Sequence, residues 1–168
     1  MLVEASHCIG LPVFNAKGQT LGAVDRLVWQ GSEATVVGMQ VTRPGLVKKF
    51  AALYYDDITE ASRQGFMTDE GKLQSSLKEL DEVVKRFGKV IGANAVTESG
   101  QKIGRVTDII FDADTGGIVR FVIRDFLKER IIPRQFFVTA TPKAVVFQDV
   151  VETPVFDKVA TMPAPEAA

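Results

Sequence analysis

The sequence is poor in the residues that carry most site chemistry. Its 168 residues include one cysteine, Cys8, and one histidine, His7. A lone cysteine excludes an internal disulfide, so nothing points to an oxidising compartment. A metal centre needs three or four ligands, and no second His or Cys exists to join this pair, so no metal site is expected. On a strand the two adjacent side chains would face opposite ways, as an edge histidine and a packed thiol. Charge of one sign is also lacking. The 20 Lys+Arg against 21 Asp+Glu leave a formal charge of −1, which argues against a generally basic nucleic-acid binder. No apolar run approaches the roughly 18–20 residues that a membrane-spanning helix needs. The opening Met1-Leu2-Val3-Glu4-Ala5 has an acid where a secretory signal has a basic residue. The expected location is the cytoplasm, at most peripheral to the inner membrane.

What is present is an ordinary globular mixture, 46% apolar and 24% charged, in a length that suits one domain or two small ones. Within it lies a repeat. At a constant offset of 82, Gly10, Gly18, Gln19, Gly22 and Val24 recur as Gly92, Gly100, Gln101, Gly104 and Val106. Leu21, Val28, Trp29, Val36, Val37 and Val41 recur as Ile103, Ile110, Phe111, Ile118, Val119 and Ile123. Repeated glycines mark backbone positions where positive φ or close approach is wanted. Further along, the offset reads as 78, with Tyr55–Ile58 over Pro133–Phe136 and Met67 over Val145. That places a four-residue difference in the loop after Val41, where insertion is tolerated.

Each copy reads as short strands divided by turn residues. The first copy runs from a turn at Asn15–Gly18 through strands at Leu21–Trp29, Thr35–Val41, Phe50–Leu53 and Phe66–Thr68. The second runs through Lys102–Phe111 and Ile118–Ile123 to Ala144–Gln148. Three apolar residues in succession within Val106–Phe111 predict a bulge or two-sided burial. Units of this size are marginal unless they close their edges or pack on a neighbour. Between them Leu73, Leu77, Leu80, Val84 and Phe87 form one helical stripe, with Thr68 or Asp69 to start it and Gly88 to stop it. The organisation is therefore repeat 1 over 5–68, a linker helix over 69–88, repeat 2 over 89–149, and a mostly disordered tail over 150–168.

The segments Gly18-Gln19-Thr20-Leu21-Gly22-Ala23-Val24 and Gly100-Gln101-Lys102-Ile103-Gly104-Arg105-Val106, each followed by an apolar strand, a turn and an apolar return strand, resemble the PRC-barrel family. Ile131-Ile132-Pro133 in the second copy resembles the family's strand that leads into a short helical turn, and the first copy lacks the proline. The resemblance implies a mainly β fold, two tandem small PRC-type β-barrels joined by one amphipathic helix. It also links the chain to the cytoplasmic part of the photosynthetic reaction-centre H subunit and to the C-terminal domain of a ribosome-maturation factor. Those relatives serve unrelated roles, so function has to be argued from the site.

Few residues suggest chemistry. Asp112–Gly117 resembles a calcium loop but lacks its third ligand and its bidentate glutamate, and a hairpin turn explains the composition. Gly18–Gly22 and its copy are not phosphate loops, because a strand follows where a helix should. Asp56, Asp57 and Glu60 cluster in the first copy, but their counterparts read as Arg134 and Gln135, so a solvated helical turn is expected there. Trp29 and Phe111 are expected in the barrel core. The best candidate contact site is the loop holding Arg43, Leu46, Val47, Lys48, Lys49 and Phe50, where cations interleave with apolar side chains. Its ordinary alternative is an exposed hairpin with two apolar residues turned inward. The second copy has Arg124–Arg130 in the same place, with mixed charge.

The expectation is thus a non-enzymatic protein-binding or adaptor module, without catalytic residues, metal or cofactor. The partner classes left open are another protein, an anionic membrane surface, a ribosomal particle or a second copy of the chain, with no small-molecule substrate. The alternative functions are a ribosome-maturation or RNA-processing factor, or a peripheral membrane or photosynthetic-complex protein.

Overall fold

The computed structural model describes residues 1–149 and the pair Val155–Phe156. The first half contains β1 (Leu2–Glu4), α1 (Ala5–Cys8), β2 (Pro12–Phe14), β3 (Thr20–Gln30), β4 (Thr35–Arg43), β5 (Lys49–Tyr54), β6 (Ile58–Ser62) and β7 (Gly65–Thr68). After α2 (Lys78–Phe87) come β8 (Asn94–Thr97), β9 (Lys102–Asp112), β10 (Ile118–Asp125), β11 (Lys128–Pro133), β12 (Phe137–Ala140), β13 (Ala144–Phe147) and β14 (Val155–Phe156). The first sheet runs β5-β4-β3-β2-β7-β6 and the second β12-β13-β8-β9-β10-β11-β14, so the two copies share one strand order. The fold is the expected one: mainly β, two tandem small barrels joined by a helix.

The duplication extends to individual hydrogen bonds. Gly10 N donates to Val24 O at 2.8 Å and Gly92 N to Val106 O at 2.7 Å. Val24 N donates to Leu11 O and Val106 N to Ala93 O, both at 2.9 Å. Gly18 and Gly100 close the β2–β3 and β8–β9 turns at φ +79° and +88°, a region that only glycine enters cheaply. Gly22 and Gly104 lie against the return strand, where an added Cβ would fall 2.5 Å from Thr42 O or from Arg124 O. The bulges recur as well. Asp25 and Thr107 are skipped in the β3–β4 and β9–β10 ladders, and so are Val37 and Val119. The bulge expected within Val106–Phe111 is therefore real and lies at Thr107.

Two alignments need correcting. The 3-10 turns Tyr55–Asp57 and Arg134–Phe136 stand 79 apart, as do β6 and β12 and β7 and β13 at their first residues, so the later offset is 79 rather than 78. The insertion in the first hairpin is three residues. The counterparts of Asp56 and Asp57 become Gln135 and Phe136. Register is fixed by ladder pairing, which composition alone does not reveal. The linker helix is also shorter than the 69–88 stripe. Gln74 exchanges both backbone hydrogen bonds with Ala52 of β5, at 2.7 and 2.9 Å, which holds Leu73 extended after a 3-10 turn at Glu70–Lys72. The helix starts only at Lys78 and ends as expected at Gly88, whose N–H reaches Val84 O at 2.7 Å. Residues 150–154 and 157–168 of the expected tail lie outside the described residues, whereas Val155–Phe156 pairs with Arg130 and Glu129 of β11. Each outer strand, β5 and β11, is thus bonded by the chain that follows its own repeat.

The leading segments are exchanged. β1 does not join its own sheet but pairs with β9 of the other repeat, Val3 opposite Phe111, and α1 packs on β9. In return α2, which leads into repeat 2, packs on β3 of repeat 1, where Leu80 is buried with Val28 and Ala52. The anchors are equivalent positions. Ser6 donates to the Asp108 carboxylate from both its N–H and its hydroxyl, and Arg26, 82 residues earlier, donates to Asp81 at 2.6 Å. His7 and Cys8 consequently lie on a helical turn rather than a strand. His7 is exposed beside Glu4 at 3.5 Å and Cys8 is buried.

The β3–β4 and β9–β10 hairpin tips meet at the centre. Val36 N donates to Gly116 O at 2.8 Å and Ile118 N to Ala34 O at 2.9 Å. The Tyr55 hydroxyl donates to Ala113 O at 2.7 Å across this seam, and Arg134, 79 residues later, donates to Glu33 O from the other side. Trp29 and Phe111 are buried as expected, but each is shared between the repeats. Trp29 stacks edgewise on Phe121 at 6.3 Å and on Phe137 at 6.1 Å, and Phe111 on Tyr55 at 6.2 Å. One apolar cluster runs through both repeats.

Candidate interaction surface

The central bridge pairs Thr35 with Gly117 in antiparallel sense, so β4 and β10 leave the seam in opposite directions. Each carries a hairpin to its own end of the molecule. The β4–β5 tip holds Leu46 at 107% exposure and Val47 at 68%, and the β10–β11 tip holds Phe126 at 100% and Leu127 at 90%. Apolar side chains of this size usually leave water, and here the same exception occurs at equivalent places in both repeats. The inward-turned alternative for Leu46 and Val47 is therefore incorrect. The longer connection, 44–48, carries them out past the last ladder pair, Arg43 with Lys49.

The backbone and charge of the tips add to this. Arg43 and Lys49 face each other directly across the ladder, a like-charged pairing that costs stability. The equivalent slot in repeat 2 pairs Asp125 with Lys128, and Arg124 donates to Glu129 at 3.0 Å beside it. Arg43 is steadied by the Leu73 carbonyl at 3.4 Å. Lys48 Nζ sits 4.0 Å from Asp25 and 5.3 Å over the half-buried ring of Phe50. Phe126 adopts φ +23°, where a two-residue hairpin ordinarily has Asn or Gly. So the first tip is apolar with a cationic rim, and the second is apolar with balanced charge.

Of the six residues singled out from the sequence, Leu46, Val47, Lys48 and Lys49 form one exposed tip, whereas Arg43 is tethered and Phe50 packs behind. Phe126 and Leu127 were missed. Aligning the two turns, rather than comparing their net charge, would have found them. The other candidates have structural roles. Asp56 is exposed on the Tyr55–Asp57 turn and Asp57 pairs with Lys72 at 3.3 Å. Asp112–Gly117 is a hairpin turn in which Asp112 Oδ1 accepts from Asp114 N at 2.9 Å. Beside the Ser99 amide and hydroxyl, Asp149 titrates below the usual carboxylate range and ties the end of repeat 2 to the β8–β9 turn.

Residues 82–158 match the family model of the PRC-barrel domain, a stretch that takes in the later part of α2 and all of repeat 2. The first repeat shares its strand order, bulges and turn glycines. No curated protein matches the chain.

Proposed function

We propose that the protein is a non-enzymatic adaptor that holds a protein partner through its two hairpin tips. The observation behind this reading is the pair of exposed apolar dipeptides, Leu46-Val47 and Phe126-Leu127, at equivalent hairpin tips of the duplicated fold. Two linked sites raise the effective concentration of the second contact once the first is made. The like-charged Arg43–Lys49 pairing and the left-handed Phe126 are local costs at the tips, the kind of rule-breaking that accompanies function. Affinity capture from the source cell tests the reading, using the intact chain and two double variants, Leu46→Asp with Val47→Asp and Phe126→Asp with Leu127→Asp. A partner retained by the wild type and lost from both variants supports it. Retention unchanged by either contradicts it.

A second reading, a protein peripheral to an anionic membrane, is favoured by the two exposed cations of the first tip, Lys48 and Lys49, beside Leu46 and Val47. Co-sedimentation with phosphatidylglycerol vesicles that disappears on Lys48→Glu with Lys49→Glu would replace the adaptor reading with this one.

A further inference from the structure

The two connectors that follow the exchanged segments both line a groove with a cavity volume of about 360 Å³. That is near the lower end of the roughly 300–1,000 Å³ of small-ligand sites. Ile9 and Ile91, 82 residues apart, both line it with about half their surface in water. Each repeat thus places the same aliphatic side chain at a position open to any polar residue. Behind them Val28, Val90 and Ile109 are fully or nearly buried, so the slot continues into the core.

The polar groups at the mouth are unequal. Arg26 is committed to Asp81 at 2.6 Å and to Gln40 at 3.0 Å. Lys89 has no hydrogen-bond or ion-pair partner among the described residues and stands on the rim beside Gly88. An aliphatic slot with one uncommitted cation at its edge is complementary to an aliphatic body with one negative charge. We propose that this groove binds a medium-chain aliphatic carboxylate, its tail between Ile9 and Ile91 and its carboxylate on Lys89 Nζ. The volume suits such a molecule. The molecule is a bound ligand, not a substrate, and the proposal is independent of the hairpin tips.

The fold supplies its own reporter. The only tryptophan, Trp29, donates from Nε1 to Gly88 O at 3.2 Å, and Gly88 lines the groove. The test titrates the intact chain with decanoate, below its micellar limit, and follows Trp29 emission and heat of binding. Saturable one-to-one binding is expected, weakened roughly tenfold by Lys89→Glu, which removes the charge-assisted contact. Ile91→Asn should weaken decanoate and uncharged decanol alike, whereas Lys89→Glu should leave decanol unchanged. Both substitutions are at the surface, and unaltered thermal unfolding checks that each variant is folded. Absence of saturable heat and emission change overturns the proposal, as does decanoate binding that Lys89→Glu leaves untouched. A concentration-dependent dimer lost on Ile91→Asn would show instead that a second copy of the chain covers the groove.

Discussion

The two repeats agree where backbone geometry is demanding and differ where charge does the holding. Glycines, bulges and amide–carbonyl pairs recur residue for residue, because a left-handed turn or a strand crossing at close range admits few alternatives. The anchor for the exchanged segment shows the opposite freedom. Arg26 in the first repeat and Asp108 in the second occupy one position with inverted charge, each matched by a partner of its own on the arriving segment. The hairpin tips follow the second pattern, with like charges facing in repeat 1 and opposite charges in repeat 2. Internal duplication thus separates positions set by the fold from positions free to acquire separate uses.

The seam is where the comparison breaks most easily. Trp29→Ala removes a side chain packed on two rings of the other repeat and should cost about 3–5 kcal/mol. Denaturant titration should show both halves losing stability together, and loss confined to repeat 1 would argue against a shared core. Gly22→Ala and Gly104→Ala form a matched pair, since each puts a Cβ 2.5 Å from a carbonyl oxygen of the return strand. Each should cost about 1–3 kcal/mol by overpacking, with Gly104 the more sensitive because its φ is +136°. Equal tolerance of alanine at both sites would contradict the close approach. Smaller still, Asp108→Ala and Arg26→Ala each release an exchanged segment at a part-exposed contact. About 1 kcal/mol is expected from either, measured by thermal unfolding.

Cys8 sharpens the same comparison without a large energetic effect. Burial pushes its thiol up to about 11, with the Asp108 carboxylate adding to the rise. Roughly one thiol in a thousand is then ionised at about pH 8. Labelling by a thiol reagent should be slow in the native protein and fast in denaturant, and rapid native labelling would mean that α1 detaches readily from β9. At the tips the expected effect has the opposite sign. Phe126→Gly relieves a left-handed aromatic and should raise stability by about 1 kcal/mol while weakening partner retention. Destabilisation by this change would show that Phe126 has a structural role.

The repeat, the long central strands of each copy and the stop of the central helix are legible because glycines and aliphatics carry backbone and burial requirements directly into the sequence. The exchange of β1 and α1 for α2 is not. Neither Val3 nor Leu80 records which of two similar barrels it is to cover, since both barrels offer an apolar strand. The start of α2 is hidden in the sequence because Leu73 fits the helical period, yet Gln74 is claimed by the edge of β5. The candidate site was half legible. Cations drew attention to the first tip, whereas Phe126 and Leu127 were hidden by balanced charge and by a register that only the ladder fixes.

Native-state hydrogen exchange at two equivalent amides tests the account most directly. Val24 N and Val106 N donate to Leu11 O and Ala93 O with the same 2.9 Å geometry, one in each repeat. If exchanged segments and a common core bind the barrels into one cooperative body, both amides should exchange only through global unfolding, with the same free energy and the same denaturant slope. One of the pair exchanging through a cheaper opening that leaves the other protected would contradict it.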